Sequence, residues 1–228
     1  IVTCSHFATD IVVARARQAH ELGGAMIMLM PPYHGALMRG TPDQTFAQFE
    51  AAGQVGIKIM VQDAPLSGVE LSLDLLVRMA REIEAVSCFK IESAQAANKL
   101  RALIAAGGDA IEGPFDGEEG ITLLADLDAG ATGCMTSALL PDLIRPAVVS
   151  HLDGDRATAK AVYERVLPLI NHENRLCGFR AAKTVLKEGG VIASDFCRHP
   201  IPPLGPVVRN TLIELARDLN PLALRWGH

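Results

Sequence analysis

Aromatic side chains are scarce in this chain, with seven Phe, two Tyr and one Trp among 228 residues. Hydrophobic residues still make up 49% of it, so its core must be built from Ala, Val, Ile, Leu and Met. Clustered basic residues are missing too. The formal net charge is -5. That excludes nucleic acid as the main partner, because phosphate binding needs grouped Lys and Arg. No apolar run approaches the about 20 residues of a bilayer-spanning helix, and no membrane partner is expected. The five cysteines, Cys4, Cys88, Cys134, Cys177 and Cys197, form no CxxC pair. Cys4, Cys88 and Cys134 lie in or beside strand-like runs. They read as reduced, packed thiols of a cytoplasmic protein. GxGxxG and GxxxxGK[ST] are absent, which weakens any nucleotide-binding reading. No HExxH-like spacing of His and acids occurs, so no metal and no other cofactor is assigned.

What is present is an alternation of short apolar runs and amphipathic stretches. Candidate strands are Ile1–Cys4, Ala25–Leu29, Ile57–Val61, Val86–Ile91, Asp109–Glu112 and Ala131–Met135. A helical pattern follows each. Thr9 is the expected N-cap of the first helix. Thr41-Pro42-Asp43-Gln44 reads as a capping box with Pro at the first helical position, and Ser72 as the cap of the next helix. Regular βα alternation implies a parallel sheet with crossover helices. From about Asp153 the character changes: Arg156–Ile170, Glu173–Glu188 and Val207–Leu219 read as three helices with no strands between them. The segment Pro200 to Pro206 is a stiff connector. The chain opens directly in a strand, Ile1-Val2-Thr3-Cys4, and further sequence is expected before it.

An open doubly wound sheet and a barrel both fit six βα units. A barrel builds its active site from polar residues at the C-terminal ends of its strands. Such residues stand here at nearly every strand end: Ser5 and His6, Tyr33 and His34, Gln62 and Asp63, Lys90 and Glu92, Asp116, and Thr136. That favours the barrel.

Lys90 stands out among them. It lies inside the apolar run Val86-Ser87-Cys88-Phe89-Lys90-Ile91-Glu92, and lysine is seldom buried without a partner or a task. Burial disfavours an ammonium charge, and a neutral amine attacks carbonyls. The plain alternative is a strand-end lysine whose stem packs while its head reaches water.

Four motifs carry a resemblance. They are Pro31-Pro32-Tyr33, Asp63-Ala64-Pro65-Leu66-Ser67-Gly68, Lys90 at a strand end, and Gly130-Ala131-Thr132-Gly133-Cys134-Met135-Thr136. In this order and at these separations the chain resembles the dihydrodipicolinate synthase / N-acetylneuraminate lyase family of Schiff-base aldolases and dehydratases. The resemblance runs over nearly the whole length. It implies a (β/α)₈ TIM barrel with a C-terminal helical extension. Residues 1–152 would supply barrel units three to eight and residues 153–228 the helical region. The first two βα units would then lie upstream of Ile1. Pro31-Pro32-Tyr33-His34-Gly35, Gln62-Asp63-Ala64-Pro65, Phe89-Lys90-Ile91-Glu92 and Gly117-Glu118-Glu119 are similar to one branch, the 2-keto-3-deoxy-L-arabonate dehydratases. The resemblance implies a 2-keto acid substrate bound as an imine on Lys90, with 2,5-dioxopentanoate as product. It also implies a homo-oligomer, a tetramer.

Departures from the family pattern bear on mechanism. Gln62 stands where the family has a proton-relaying Tyr, and an amide cannot act as a phenolic acid/base. The family acid directly after the lysine is replaced by Ile91, and the acid is Glu92. On a strand, Lys90 and Glu92 share one face. Glu92 is therefore either the acid/base of the reaction or a structural partner of a buried charge. Tyr33 matches a family residue that supports proton transfer; otherwise it is a packed aromatic. His34 is a substrate contact or a solvated loop histidine. Gly113 and Thr136 are expected to line the pocket. Asp116, Glu118 and Glu119 read as the start of a helix. The resulting expectation is a lysine-dependent hydro-lyase. An aldolase or synthase of the same family, or a catalytically silent binding protein, stands as the alternative.

Overall fold

A computed structural model describes residues 1–34, 38–65 and 68–227. Gly35, Leu66 and Ser67, which belong to the motifs quoted above, lie outside the described residues. The described chain falls into two compact units. One comprises residues 1–117 and 125–133, the other residues 118–124 and 134–228.

The first unit holds the parallel sheet. Its strands are β1 (Val2–Thr3), β2 (Met26–Leu29), β5 (Lys58–Asp63), β6 (Val86–Ile91) and β7 (Glu112–Asp116), with β8 (Gly133–Cys134) next in the order β1-β2-β5-β6-β7-β8. Pairing is parallel in register Met28↔Met60, Gln62↔Lys90 and Lys90↔Phe115. Ile59, Met60 and Val61 are successive and all buried, as expected of a parallel strand covered on both faces. Helices α1 (Thr9–Glu21), α2 (Pro42–Gly53), α3 (Leu73–Glu82) and α4 (Ala96–Gly107) make the crossovers. They bury their apolar stripes, such as Leu75, Leu76 and Met79 on α3 and Leu100 and Leu103 on α4. Each such side chain contributes about 1.5–3 kcal/mol.

The capping box of α2 forms as expected: Thr41 accepts from Gln44 N, and the Gln44 side chain accepts from Thr41 N. Ser72 caps α3 through Leu75 N at 3.2 Å. Thr9 does not cap α1. It is the first helical residue, behind Ala8, and Gln48 Nε2 approaches its hydroxyl at 3.4 Å.

The expected strand at 109–112 is displaced. Gly108–Ala110 is a turn of 3₁₀ helix and the strand runs over Glu112–Asp116. Pro114 has no N–H to give to the ladder. The strand uses its carbonyl instead, which accepts from Thr132 N at 2.8 Å. A short antiparallel pair that periodicity does not reveal, β3 (Tyr33–His34) with β4 (Met38–Arg39), follows β2. Two-residue strands are too short to carry a period.

The second unit is helical: α6 (Pro141–Leu152), α7 (Arg156–His172), α8 (Arg180–Glu188), α9 (Pro206–Leu219) and α10 (Leu222–Arg225). α5 (Leu123–Asp128) precedes them. Its core is formed by Ile144, Ala147, Leu169, Ile170, Leu212 and Ala216. The single helix expected over Glu173–Glu188 is two elements. A π-helical turn spans Glu173–Cys177, and Gly178 at φ 58° breaks the chain before α8. That positive φ suits glycine. The expected helix start at Asp116, Glu118 and Glu119 is also corrected. Asp116 is the buried last residue of β7, Glu119 has φ 57°, and α5 begins at Leu123.

Candidate active site

The C-terminal ends of β5 and β6 lie side by side because Gln62 pairs with Lys90 and Asp63 with Ile91. That register sets the geometry of the cluster. Successive strand residues point to opposite faces, so Lys90 and Glu92 project to the same side. Lys90 Nζ lies 2.9 Å from Glu92 Oε2. Gln62 Nε2 donates to the same oxygen at 2.7 Å. The Lys90 side chain is 13% exposed and that of Glu92 26%, so the amine is reachable without being freely solvated. Gln62 is buried. One carboxylate oxygen therefore takes both the amine and the amide. The amine that sequence places in an apolar wall is answered by a carboxylate.

The backbone around this cluster is fixed from two directions. Glu92 N donates to Asp63 O at 2.9 Å, and Gly117 N donates to Ile91 O at 2.8 Å. Gly117 leaves no room for a side chain, since a Cβ there would meet Ile91 O at 2.7 Å and Glu92 Cβ at 2.9 Å.

Tyr33 and His34 occupy β3. With Ser5, His6, Met30 and Pro31 they line a cavity of about 510 Å³. The His34 ring is tilted against Phe7 at a centroid distance of 6.2 Å. Among the described residues, neither Tyr33 nor His34 hydrogen-bonds Lys90, Glu92 or Gln62. Gly113 lies on β7 with φ +85°. Thr136 follows β8 in the second unit, and its Oγ1 is buried without a hydrogen-bond partner among the described residues. Among those residues no group of three His, Cys, Asp or Glu could hold a metal ion, and no helix is long and apolar enough to cross a membrane.

Two features escape a reading of spacing. Asp63 is fully buried and pairs with Lys99 Nζ at 2.6 Å. Glu173 is buried in the π-helical turn, and its carboxyl is pushed up to about 7 by burial. Lys99 carries a faint signal, because it stands three residues after buried Ala96 and four before buried Leu103 on α4. Glu173 had none, since the turn that buries it is invisible in the helical period.

The description of the dihydrodipicolinate synthetase family matches residues 5–219. The chain belongs to that family. It is 56% identical to the L-2-keto-3-deoxyarabonate dehydratase of Azospirillum brasilense, over 100% of this chain and 74% of that protein. It is 28% identical to the 4-hydroxy-tetrahydrodipicolinate synthase of Acidiphilium cryptum, over 95% of this chain and 73% of the relative. Among solved structures, dihydrodipicolinate synthase from Aquifex aeolicus superposes with a TM-score of 0.86 at 22% identity, over 96% of this chain and 73% of that one. The Rhodopseudomonas palustris enzyme gives 0.82 at 24% identity, over 95% and 73%. At those identities the likeness is one of fold. The fold class is the (β/α)₈ barrel with C-terminal helices that the sequence resemblance implies.

Proposed function

We propose that this protein is a lysine-dependent hydro-lyase that converts 2-keto-3-deoxy-L-arabonate to 2,5-dioxopentanoate and water. The observation that carries the reading is Glu92 Oε2 at 2.9 Å from Lys90 Nζ, a nucleophile and an acid/base in contact at a strand end. The 56% identity to a dehydratase of this substrate supports the choice of reaction.

Lys90 attacks C2 of the keto acid, and loss of water gives an imine that acts as an electron sink. Glu92 removes a C3 proton to give an enamine. The enamine expels the C4 hydroxyl as Glu92 returns a proton to it. Loss of a proton from C5 and of the C5 hydroxyl proton, with protonation at C3 and C4, turns the C5 alcohol carbon into an aldehyde. Water then hydrolyses the imine and frees Lys90. Gln62 holds Glu92, Tyr33 assists proton transfer, and His34 and Gly113 bound the substrate. We place the enzyme in the cytoplasm, in L-arabinose oxidation, as a homotetramer that needs no cofactor.

The test is incubation with 2-keto-3-deoxy-L-arabonate and product analysis, with borohydride trapping of the intermediate. Accumulation of 2,5-dioxopentanoate and a reduced adduct on the Lys90 peptide support the reading. Release of pyruvate and glycolaldehyde would establish an aldolase instead. An adduct on Lys58 or Lys99 would overturn the assignment of the nucleophile.

A further inference from the structure

The first unit contains a second sequestered lysine, and it is engaged differently from the first. Lys99 projects from α4 and its side chain is 15% exposed. Its Nζ lies 2.6 Å from Asp63 Oδ2 and donates to Leu71 O at 2.6 Å, with Glu70 Oε1 at 3.7 Å. An ammonium has three donors and no acceptor, and here it donates to Leu71 O and pairs with the Asp63 carboxylate, with Glu70 at ion-pair distance. Lys99 is fully engaged by these partners. Asp63 is fully buried. Its Oδ1 accepts from Leu71 N at 3.1 Å. Its Oδ2 makes no hydrogen bond of full geometry among the described residues, so the Lys99 ammonium is the charge that answers it. A buried carboxylate without such a partner is strongly unfavourable.

Asp63 also touches the site. Its carbonyl accepts from Glu92 N, and its chain neighbour Gln62 donates to the Glu92 carboxylate. Glu92 is thus held at its backbone by one residue of β5 and at its side chain by the preceding one. Both depend on where β5 ends, and that end is tied to α4 through Lys99 and to the start of α3 through Leu71.

We propose that Lys99 is a positioning residue of the active site. By neutralising Asp63 it fixes the end of β5, and through Asp63 O and Gln62 it sets the carboxylate of Glu92 beside Lys90 without touching substrate. The inference rests on the acid/base role given to Glu92 above.

The test compares Lys99→Met, Lys99→Arg and the double variant Asp63→Asn/Lys99→Met in the whole protein. Lys99→Met should lower kcat roughly 10- to 100-fold, the usual loss when the support of a reactive group is removed. KM and the amount of borohydride adduct formed at Lys90 with pyruvate should stay close to wild type. Lys99→Arg should recover part of kcat. The double variant removes both charges together and should return kcat to within about threefold of wild type, because the pair is coupled and not additive. A folded Lys99→Met with unchanged kcat, or a double variant no better than the single, would overturn the proposal. If Lys99→Met does not fold, the double variant decides by the same threefold criterion. Failure of the wild-type protein to dehydrate the keto acid would instead strike the functional reading.

Discussion

Gln62 and Lys90 face each other across β5 and β6 and converge on a single oxygen, Oε2 of Glu92. The amide donates at 2.7 Å and the amine approaches at 2.9 Å. Gln62 stands where family members are expected to carry a tyrosine. In this chain the Gln62 amide holds a carboxylate, and under the proposed function the proton traffic that a phenol would carry falls to Glu92.

Glu92→Gln keeps the shape of the side chain and removes its basicity. Turnover should fall by roughly two to four orders of magnitude, the range of general acid–base help. Imine trapping at Lys90 with pyruvate should survive. Steady-state kinetics beside mass spectrometry of the reduced peptide measure both. Equal loss of trapping and turnover would mean that Glu92 serves imine formation alone.

Gln62→Leu removes the amide that orients Glu92 and leaves the carboxylate in place. The expected loss in kcat is smaller, roughly 10- to 100-fold. If Gln62→Leu matched Glu92→Gln in severity, the amide would be acting on substrate and not on Glu92.

Much of this site is legible in the sequence. Lys90 and Glu92 share a face because the strand period is two, and an apolar run with a lysine at its end announces itself. Gln62 was noticed as a departure from a motif, but its partner was not, because partnership depends on register between strands 28 positions apart, and composition carries no register. The strand at Glu112–Asp116 is not legible as one because Gly113 and Pro114 sit inside it, and Pro114 pairs through its carbonyl, which accepts from Thr132 N. The π-helical turn at Glu173–Cys177 is not legible because a single wide turn leaves no distinct mark on the helical period. Lys99 and Asp63 lie 36 positions apart and meet only in the folded chain, where the side chain from α4 reaches the end of β5.

Cys177 offers a simple check on burial in the second unit. Its thiol is pushed up to about 11, chiefly by burial, with the charge of Glu173 adding and that of Arg180 opposing. The thiolate is the reactive form. Iodoacetamide at neutral pH should therefore leave native Cys177 unmodified while half-buried Cys197 reacts. Peptide mapping after timed alkylation reads the difference, and equal labelling would contradict the buried setting.

Glu173 predicts a pH dependence of stability with an unusual sign. Burial raises its carboxyl from 4.5 to about 7. The charge of Glu119 pushes it further up, and the hydroxyl of Ser137 pulls it down. A raised carboxyl binds its proton more tightly in the folded protein than in the unfolded chain. The stabilisation from this group is therefore complete below about 4.5 and is lost as pH rises to about 7. The contribution falls by up to about 1.4 kcal/mol per pH unit across that window. Ordinary carboxylates, with lowered values, act in the opposite direction. Glu173→Gln keeps the shape and the hydrogen-bonding capacity and carries no charge, so it should remove this slope. The variant should be more stable than wild type at about pH 8 and close to it at about pH 5. Urea unfolding of both proteins across that range measures the difference. Parallel curves would show that Glu173 is solvated or paired in solution and that burial does not govern its proton.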